Sequence, residues 1–509
     1  MAFLACNFSL LTVPDNPLSW NKKIKEQVLK GNAKKAILTY TKMQELGYRA
    51  DNYTFPILLK AAGDLSGSCI GFTLHGQTIT TGFCGHVFVQ TALLNMYSSL
   101  GFVGDACKVF ENMPVKDVVA WNSMLDAYVS SGQMGTAMEL FDSMPLKDLT
   151  SFNIMVSGYA SMGRTVSARS IFDKIPAKDT VSWNSMILAY TNAGDMVEAH
   201  RLFKEMPAKN VITWNTMVRG YIRNQLYAEA VDLFDEMQAA NVKPDFLTMA
   251  SVLSGCAHLG SLERGTKIHI YAKDHCLEYS SPHVTTALIV MYAKCGSILN
   301  ALQVFFKSQV KDIYCWNAII SGLALHGYGY AALKLFDKMR ESCCITPDDI
   351  TFIGLLSACS HAGLVEDGCR LFDCMEKDFG ITPKIEHYGC LVDLLSRAKL
   401  LDRAFQLIQA MPYEPGESIL GALLSACVTH RDLDIGEKVM KLYFGRACQF
   451  SDGEFMMFAN LYASCGKWEE AKRWRDKMNG SGIAKTAGCS MIEVNGRFHK
   501  FLAGESGID

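Results

Sequence analysis

The fold is decided by residues 118–148, which read VVAWNSMLDAYVSSGQMGTAMELFDSMPLKD, because this 31-residue pattern recurs along the chain. A Trp-Asn or Phe-Asn pair lies near the start of each copy, and a phenylalanine followed by Met-Pro or Ile-Pro lies near its end. Self-similarity at one fixed period is the signature of a repeat architecture. The recurring aromatic residues are Trp121, Phe152, Trp183 and Trp214 in the opening pairs, and Phe110, Phe141, Phe172 and Phe203 near the ends.

One unit of the pattern predicts two helices. Apolar residues recur at helical spacing from Trp121 until Gly132, which supplies a turn. A second apolar stripe follows and ends at Pro145, because proline cannot continue a helix. Neither helix can bury its stripe alone, so neighbouring pairs must stack. We therefore predict an all-α fold, a right-handed α-solenoid superhelix of tandem helix-turn-helix repeats with the stripe residues in its core.

The same register extends outward as units of 31, 32, 35 and 36 residues. Residues 1–16 precede the array, residues 417–484 read as two degenerate helical pairs, and residues 485–509 form a tail. The predicted repeat units are 17–51, 52–86, 87–117, 118–148, 149–179, 180–210, 211–245, 246–281, 282–312, 313–348, 349–384 and 385–416.

The composition is that of a folded protein, with 49% hydrophobic and 20% charged residues. No run approaches the roughly 20 apolar residues that cross a bilayer. The net charge of −2 argues against a nonspecific duplex binder, which would neutralise many phosphates, but allows a protein that reads bases. The 18 cysteines contain no C-x-x-C spacing and fit reduced thiols. The apolar N-terminus has no Lys or Arg before Lys22, so residues 1–16 are only a weak candidate transit peptide.

These motifs make the resemblance to a known family specific. Helical pairs that open on Trp-Asn and close on Pro-Asp, as at Pro244-Asp245 and Pro347-Asp348, resemble pentatricopeptide repeats. The mixed unit lengths resemble the P-, L- and S-type arrays of plant organellar editing factors, and residues 350–363 are close to that family's last L repeat. Residues 417–484 resemble the two E-type motifs that follow such arrays, and the tail resembles a truncated E+ segment.

The resemblance implies single-stranded RNA as the ligand, with one base read by each unit. Position 5 of a unit meets the base and the last residue lies beside it, since Asn and Thr can both donate and accept hydrogen bonds. In this family Asn with Asp favours uracil, Thr with Asp favours guanine, and Asn with Asn favours a pyrimidine. The implied RNA-binding pairs are Asn21 with Asp51, Thr91 with Asp117, Asn122 with Asp148, Asn153 with Asp179, Asn184 with Asn210, Asn215 with Asp245, Thr286 with Asp312, and Asn317 with Asp348.

Other positions complete or interrupt this reading. The alternative interpretation of each pair is structural: the Asn bonds backbone and the Asp caps the next helix. Four L- or S-type units depart from the code, because Pro56, Ala250, Ile353 and Gly389 occupy position 5. The position-2 residues expected to wedge between bases are Leu18, Val119, Val181 and Ile212.

Read from 5′ to 3′, the expected RNA is U, any, G, U, U, pyrimidine, U, any, G, U, any, any, three unread nucleotides and the target C.

The sequence lacks the residues of a zinc deaminase, which needs His-x-Glu and C-x-x-C. None of the 12 histidines is followed by Glu two residues later. Cys256, Cys359 and Cys427 recur at the eleventh position of their units, where Ala62 stands in another, so they predict a tight helix contact. We therefore predict no catalytic residues, no metal ligands, no cofactor and no enzymatic activity.

The leading functional hypothesis is site recognition for cytidine-to-uridine editing of an organellar transcript, with the mitochondrion favoured over the chloroplast by family habit. The resemblance then implies a DYW-type deaminase acting in trans and multiple organellar RNA editing factors as protein partners, with no membrane partner. Two alternatives stay open. One is a binding-only factor for transcript stabilisation, splicing or translation; the other is a protein–protein scaffold, which the eight in-register pairs disfavour.

Overall fold

A computed structural model describes residues 17–278, 281–342, 345–444, 450–483, 487–494 and 497–503. The candidate transit peptide at residues 1–16 lies outside this range. The chain divides into two compact units, residues 1–220 and 221–509, and each is described by itself. Within the described residues, no helix has the length and apolar character that a bilayer crossing requires.

The first compact unit consists of helices joined by short turns. These are α1 (Pro17–Leu29), α2 (Ala33–Glu45), α3 (Thr54–Asp64), α4 (Ser68–Thr80), α5 (Val87–Ser99), α6 (Val103–Glu111), α7 (Val118–Ser130), α8 (Met134–Ser143), α9 (Leu149–Ser161), α10 (Thr165–Asp173), α11 (Thr180–Ala193), α12 (Met196–Glu205) and most of α13 (Val211–Arg223).

The second compact unit continues the alternation and ends in a hairpin. Its helices are α14 (Tyr227–Ala239), α15 (Phe246–Leu259), α16 (Leu262–Asp274), α17 (Pro282–Lys294), α18 (Ile298–Lys307), α19 (Ile313–Leu325), α20 (Gly329–Glu341), α21 (Asp349–Ala362), α22 (Val365–Lys377), α23 (Ile385–Arg397), α24 (Leu401–Ala410), α25 (Glu417–His430), α26 (Leu433–Phe444), α27 (Asp452–Ser464) and α28 (Trp468–Gly480). Its strands are β1 (Cys489–Val494) and β2 (Arg497–Leu502).

Within each compact unit the helices form two layers. Odd-numbered helices pack side by side, as α5, α7, α9 and α11 do. Even-numbered helices pack on their own partner and on the next odd-numbered helix, as α8 does on α7 and α9. This stacking buries the apolar stripes: Met124, Leu125 and Ala137 of one predicted unit have no measurable exposure. The prediction of stacked helical pairs is confirmed.

The turn and stop residues act locally as their chemistry requires. Gly132 adopts φ +78° between α7 and α8, a left-handed conformation that favours glycine. Helix α8 ends at Ser143, and Met144 is extended with ψ 124°. The residue before a proline is driven out of the helical region, so Pro145 explains this stop.

Aromatic pairs join at least five of the predicted units to the next unit. Phe141 of α8 packs edge-to-face on Phe152 of α9, with ring centroids 5.3 Å apart. Such pairs add about 0.5–1.5 kcal/mol beyond the area that they bury. The same contact explains the period-31 aromatic residues, and it recurs at centroid distances of 4.8 to 5.2 Å in Phe110–Trp121, Phe172–Trp183, Phe203–Trp214 and Phe305–Trp316.

A lysine closes the same junctions. Lys147 donates to the carbonyl oxygen of Met144 at 3.0 Å, and its Nζ lies 5.3 Å from the ring centroid of Phe141. A cation near the C-terminus of a helix satisfies carbonyl groups that have no helical partner. The sequence analysis missed this role, although the signal is a lysine before the terminal residue of five units, at Lys116, Lys147, Lys178, Lys209 and Lys311.

The tail departs from the all-α prediction. Strands β1 and β2 pair antiparallel, from Cys489 opposite Leu502 to Val494 opposite Arg497. In the sequence, Asn495-Gly496 stands between them, and Asn-Gly is the dipeptide that two-residue hairpins favour. The sequence analysis treated this segment only as a truncated E+ tail, so the strands were missed. The helical prediction holds for the described residues before the tail.

Candidate nucleic-acid interface

The candidate pairs lie at the helix starts of the odd-numbered layer. Asn122 is in the second turn of α7, and Asp148 is the residue that precedes α9. Because α7 and α9 pack side by side, the last residue of one predicted unit comes next to position 5 of that unit. The same placement recurs in the other odd-numbered helices of each compact unit.

Every terminal carboxylate of the candidate set accepts a hydrogen bond from a backbone N–H at the start of a helix. Asp148 Oδ1 accepts a hydrogen bond from the backbone N–H of Ser151 at 2.9 Å. An N-cap of this kind stabilises a helix by about 0.5–2 kcal/mol. The structural role that the sequence offered for these residues is therefore present, and the corresponding bonds of 2.7 to 2.9 Å are made by Asp51, Asp117, Asp179, Asp245, Asp312 and Asp348.

At Asn122 the same carboxylate also holds the candidate base-reading amide. Asn122 Nδ2 donates to Asp148 Oδ1 at 3.0 Å. The Ser151 hydroxyl lies 2.6 Å from Asn122 Oδ1, to which it can donate, and 2.8 Å from Asp148 Oδ1. The amide is thus anchored at both ends.

Two further Asn residues have the same arrangement. Asn21 Nδ2 donates to Asp51 at 3.1 Å, and the Thr54 hydroxyl donates to Asn21 Oδ1 at 2.8 Å. Asn317 Nδ2 donates to Asp348 Oδ1 at 3.0 Å, and the Thr351 hydroxyl lies 2.6 Å from Asn317 Oδ1. We call each set of Asn, terminal Asp and following hydroxyl an anchored amide.

Asn153 and Asn184 are held less completely. Asn153 Nδ2 donates to Asp179 Oδ1 at 3.3 Å. Asn210 accepts from the backbone N–H of Thr213 at 3.0 Å, but no hydrogen bond joins it to Asn184 in the described part of the chain. The buried Oδ1 atoms of Asn153 and Asn184 have no partner among the described residues.

Within the described residues, Thr91 makes no hydrogen bond to Asp117, and Thr286 makes none to Asp312. The Thr91 hydroxyl donates to the carbonyl oxygen of Val87 at 3.0 Å, inside its own helix. The Thr286 hydroxyl lies 3.2 Å from the Cys315 sulfur. Their terminal residues, Asp117 and Asp312, only cap the next helix.

The remaining candidates, Asn215 and Asp245, belong to different compact units. Asn215 is buried in α13 of the first unit, and Asp245 caps α15 in the second, accepting from Thr248 N–H at 2.8 Å.

Hydrogen bonds favour the charged form of three terminal carboxylates. Burial alone would raise the pKa of Asp148, but hydrogen bonds from Asn122 and Ser151 outweigh burial and hold the pKa below its ordinary value. The pKa of Asp51 and the pKa of Asp179 are lowered in the same way. An ionised carboxylate can only accept, so it selects the NH₂ end of the Asn amide.

Exposed apolar side chains stand at position 2 on the same helices. Val119 is 58% exposed and Ile212 is 64% exposed, and Leu18 and Val181 are exposed as well. The sequence analysis did not name the aromatic residues at this position, although the repeat register could have found them. These are Tyr53, Phe88 and Tyr314, all more than half exposed.

The departing units have different surroundings. Pro56, Ala250 and Ile353 lie in α3, α15 and α21, where the other units carry Asn or Thr. Gly389 lines an open cavity of about 390 Å³ together with Ser357, Asp393 and Ile419. No polar side chain occupies position 5 in any of these four units.

The recurring cysteines have no feature of a reactive site. Cys256, Cys359 and Cys427 are fully buried on odd-numbered helices. Burial raises the pKa of Cys359 to about 12 and the pKa of Cys427 to about 12, so both stay protonated at neutral pH. Within the described ranges, no three His, Cys, Asp or Glu side chains are arranged to hold a metal ion.

Comparison with family models finds repeat matches along the chain. The model described as PPR repeat matches residues 91–118, 119–149, 150–179, 181–211 and 350–378. The model described as PPR repeat family matches residues 209–258 and 311–361, and the E motif model matches residues 430–493.

Two similar proteins from Arabidopsis thaliana match most of the chain. Pentatricopeptide repeat-containing protein At5g56310 is 37% identical over 92% of this chain and 77% of its own length. Pentatricopeptide repeat-containing protein At1g05750, chloroplastic, is 38% identical over 97% of this chain and 86% of its own length.

Solved structures share the fold at low sequence identity. The maize pentatricopeptide repeat protein PPR10 is 19% identical, with a TM-score of 0.58, over 91% of this chain and 74% of that one. A second structure of PPR10, in complex with an 18-nt psaJ RNA element, has a TM-score of 0.51 over 92% of this chain and 75% of that one.

Proposed function

The chain belongs to the pentatricopeptide-repeat family, and from this premise we propose that it binds single-stranded RNA and reads one base with each Asn- or Thr-headed pair. The proposed reading residues are the eight pairs given above, and the proposed array consists of the twelve units from residue 17 to residue 416. RNA binding by the maize protein of the same fold supports this class of ligand.

The observation that carries the proposal is the anchored amide. Two hydrogen bonds hold the Asn122 side chain, and the carboxylate that accepts one of them also caps α9. The neighbouring position-2 side chain, Val119, is exposed on the same helix. A fixed polar group beside an exposed apolar one can hydrogen-bond a base edge and contact the base face.

We propose further that the chain selects a cytidine for editing. The E motif match at residues 430–493 supports this proposal, because the resemblance associates E-type motifs with editing factors. The deaminase would be a separate DYW-type protein in trans, and multiple organellar RNA editing factors would be additional partners. The binding-only role in transcript stabilisation, splicing or translation is the competing proposal.

The proposed location is a plant organelle. The names of four similar Arabidopsis proteins include the word chloroplastic, which supports an organelle. These names do not favour the mitochondrion over the chloroplast, so the preference for the mitochondrion rests on family habit alone.

Transcriptome sequencing of a loss-of-function line tests the proposed role. Site recognition for editing predicts one or a few cytidines that stay unedited while transcript ends keep their positions. Altered transcript ends with normal editing would instead support the binding-only role. Unchanged organellar RNA would contradict both.

A further inference from the structure

The type of residue at position 3 of each predicted unit depends on the residue at position 5 of the unit before it. Wherever position 5 is Asn, position 3 of the next unit carries a hydroxyl: Thr54, Ser151, Ser182, Thr213, Thr248 and Thr351 follow the six Asn units. After the other six units the residue has no hydroxyl. It is Val89, Ala120, Val284, Cys315, His387 and Ile419.

Helix capping does not require the hydroxyl, although Ser151 Oγ also accepts a hydrogen bond from the backbone N–H of Asp148 at 3.2 Å in a capping box. Asp117 caps α7 through the backbone N–H of Ala120 at 2.8 Å, and Asp148 caps α9 through Ser151 N–H at 2.9 Å. The cap is therefore equally short with and without a hydroxyl. The position also tolerates alanine in the packed layer, because both Ala120 and Ser151 are fully buried.

In three of the six Asn units the hydroxyl contacts the amide itself, whereas Ser182 and Thr213 contact the terminal residues Asp179 and Asn210. Ser151 Oγ lies 2.6 Å from Asn122 Oδ1, and the corresponding threonine contacts at Asn21 and Asn317 are 2.8 and 2.6 Å. An amide has a donor end and an acceptor end, and the terminal carboxylate attracts only the donor end. The hydroxyl donates a hydrogen bond to the acceptor end, so the two contacts together fix which edge of the amide remains for a ligand.

We infer that the position-3 hydroxyl is a positioning residue that sets base discrimination through the preceding Asn. This inference rests on the proposed function, since it concerns how the same pairs read a base. Base identity would then depend on three side chains: position 5, the last residue of the unit, and position 3 of the next unit. The Thr-headed units do without the hydroxyl because Thr91 and Thr286 have no amide to orient.

The loss-of-function test uses the full chain and RNAs that differ only at the nucleotide facing Asn122. Ser151→Ala should reduce the preference for uracil over each other base by roughly fivefold, the size of one net hydrogen bond. Ser151→Thr should keep the preference, because threonine provides the hydroxyl in the two other contacts of this kind, Thr54 with Asn21 and Thr351 with Asn317. Discrimination at the nucleotide facing Asn21 is the internal control and should stay unchanged.

The outcomes separate the inference from the proposed function. Full discrimination by Ser151→Ala, an equal loss of affinity for all four bases, or a loss of the preference in Ser151→Thr would each overturn the inference. A wild-type chain with no base preference at either nucleotide would overturn the proposed function itself, and the inference with it.

A gain-of-function test uses the Thr-headed unit at residues 87–117. Thr91→Asn places an amide there beside Asp117 but leaves Ala120 without a hydroxyl. Adding Ala120→Ser should raise the preference for uracil at that nucleotide by roughly fivefold over Thr91→Asn alone. Equal preference in the single and double variants would overturn the inference, and equal melting temperatures of the variants would show that folding is not the cause.

Discussion

Replacing Asn122 with Thr, while Asp148 is kept, should change the base that this unit prefers from uracil to guanine. In the wild-type chain the Asn122 amide donates to Asp148 at 3.0 Å and lies 2.6 Å from the Ser151 hydroxyl. Threonine is too short to keep both contacts, and its hydroxyl can turn to its own helix, as Thr91 does with Val87 at 3.0 Å. The geometry would become that of a Thr-headed unit.

The expected size of the change follows from the contacts with the base. One net hydrogen bond contributes about 1 kcal/mol, or roughly a fivefold change in affinity. The affinity for the RNA with uracil at this nucleotide should therefore fall by about that factor, and the affinity for the RNA with guanine should rise by a similar factor. Fluorescence anisotropy with four RNAs that differ at one nucleotide measures both changes.

A matched control separates base reading from general effects. Asn112→Thr makes the same chemical change at an exposed residue whose Nδ2 donates to the Lys108 carbonyl oxygen at 2.8 Å, after the end of α6. The control should keep the wild-type preference. If Asn122→Thr kept the preference for uracil, or weakened all four RNAs alike, the reasoning about position 5 would be refuted.

Three further predictions concern salt, packing and pH. Binding should depend weakly on salt, because the net charge is −2 and recognition uses base edges; a steep slope in a salt titration, equivalent to many released counterions, would contradict this. Gly158→Ala should lower the free energy of unfolding, measured in denaturant titrations, by roughly 1 kcal/mol. The new Cβ would lie 2.7 Å from Val129 Cγ1, and such overpacking costs about 1–3 kcal/mol, whereas the higher helix propensity of alanine stabilises the helix by only about 1 kcal/mol. Gly135→Ala, with no atom near its Cβ, should be neutral or stabilising, and equal effects of the two variants would count against the packing argument. The pKa of Asp148 is lowered in the folded state, so its ionised form stabilises the fold above the unfolded-state pKa of about 3.9, and this stabilisation is lost as the pH falls below that value. The melting temperature of Asp148→Asn should therefore fall less steeply below about pH 4 than that of the wild type. Parallel curves for the two proteins would disprove the linkage.

The helical pairs were predictable because their signals are local and repeated. A period-31 pattern with Gly132 at the turn and Pro145 after the second helix determines where one pair bends and stops. Family membership was predictable for the same reason, since the opening Trp-Asn and closing Pro-Asp motifs recur in register. These predictions are confirmed by the stacked layers and by the family matches.

The contacts around the candidate site were less accessible to sequence reasoning. The sequence presented base reading and helix capping as alternatives for Asp148, whereas one carboxylate both caps α9 and holds Asn122. The Ser151 hydroxyl was overlooked because it lies 29 residues from the amide that it contacts, and only packing of α9 on α7 brings them together. The hairpin was missed because the tail was interpreted from its resemblance to an E+ segment and not from the Asn495-Gly496 hairpin signal.

The most direct test of the central claim is equilibrium binding of the full chain to the expected RNA. The tight-binding sequence should contain pyrimidines at the four consecutive nucleotides that face Asn122, Asn153, Asn184 and Asn215. Changing all four to purines should weaken binding by about 4 kcal/mol, on the order of a thousandfold, if each pair contributes about one net hydrogen bond. Equal affinity for the pyrimidine and purine RNAs would contradict the claim that these side chains read bases.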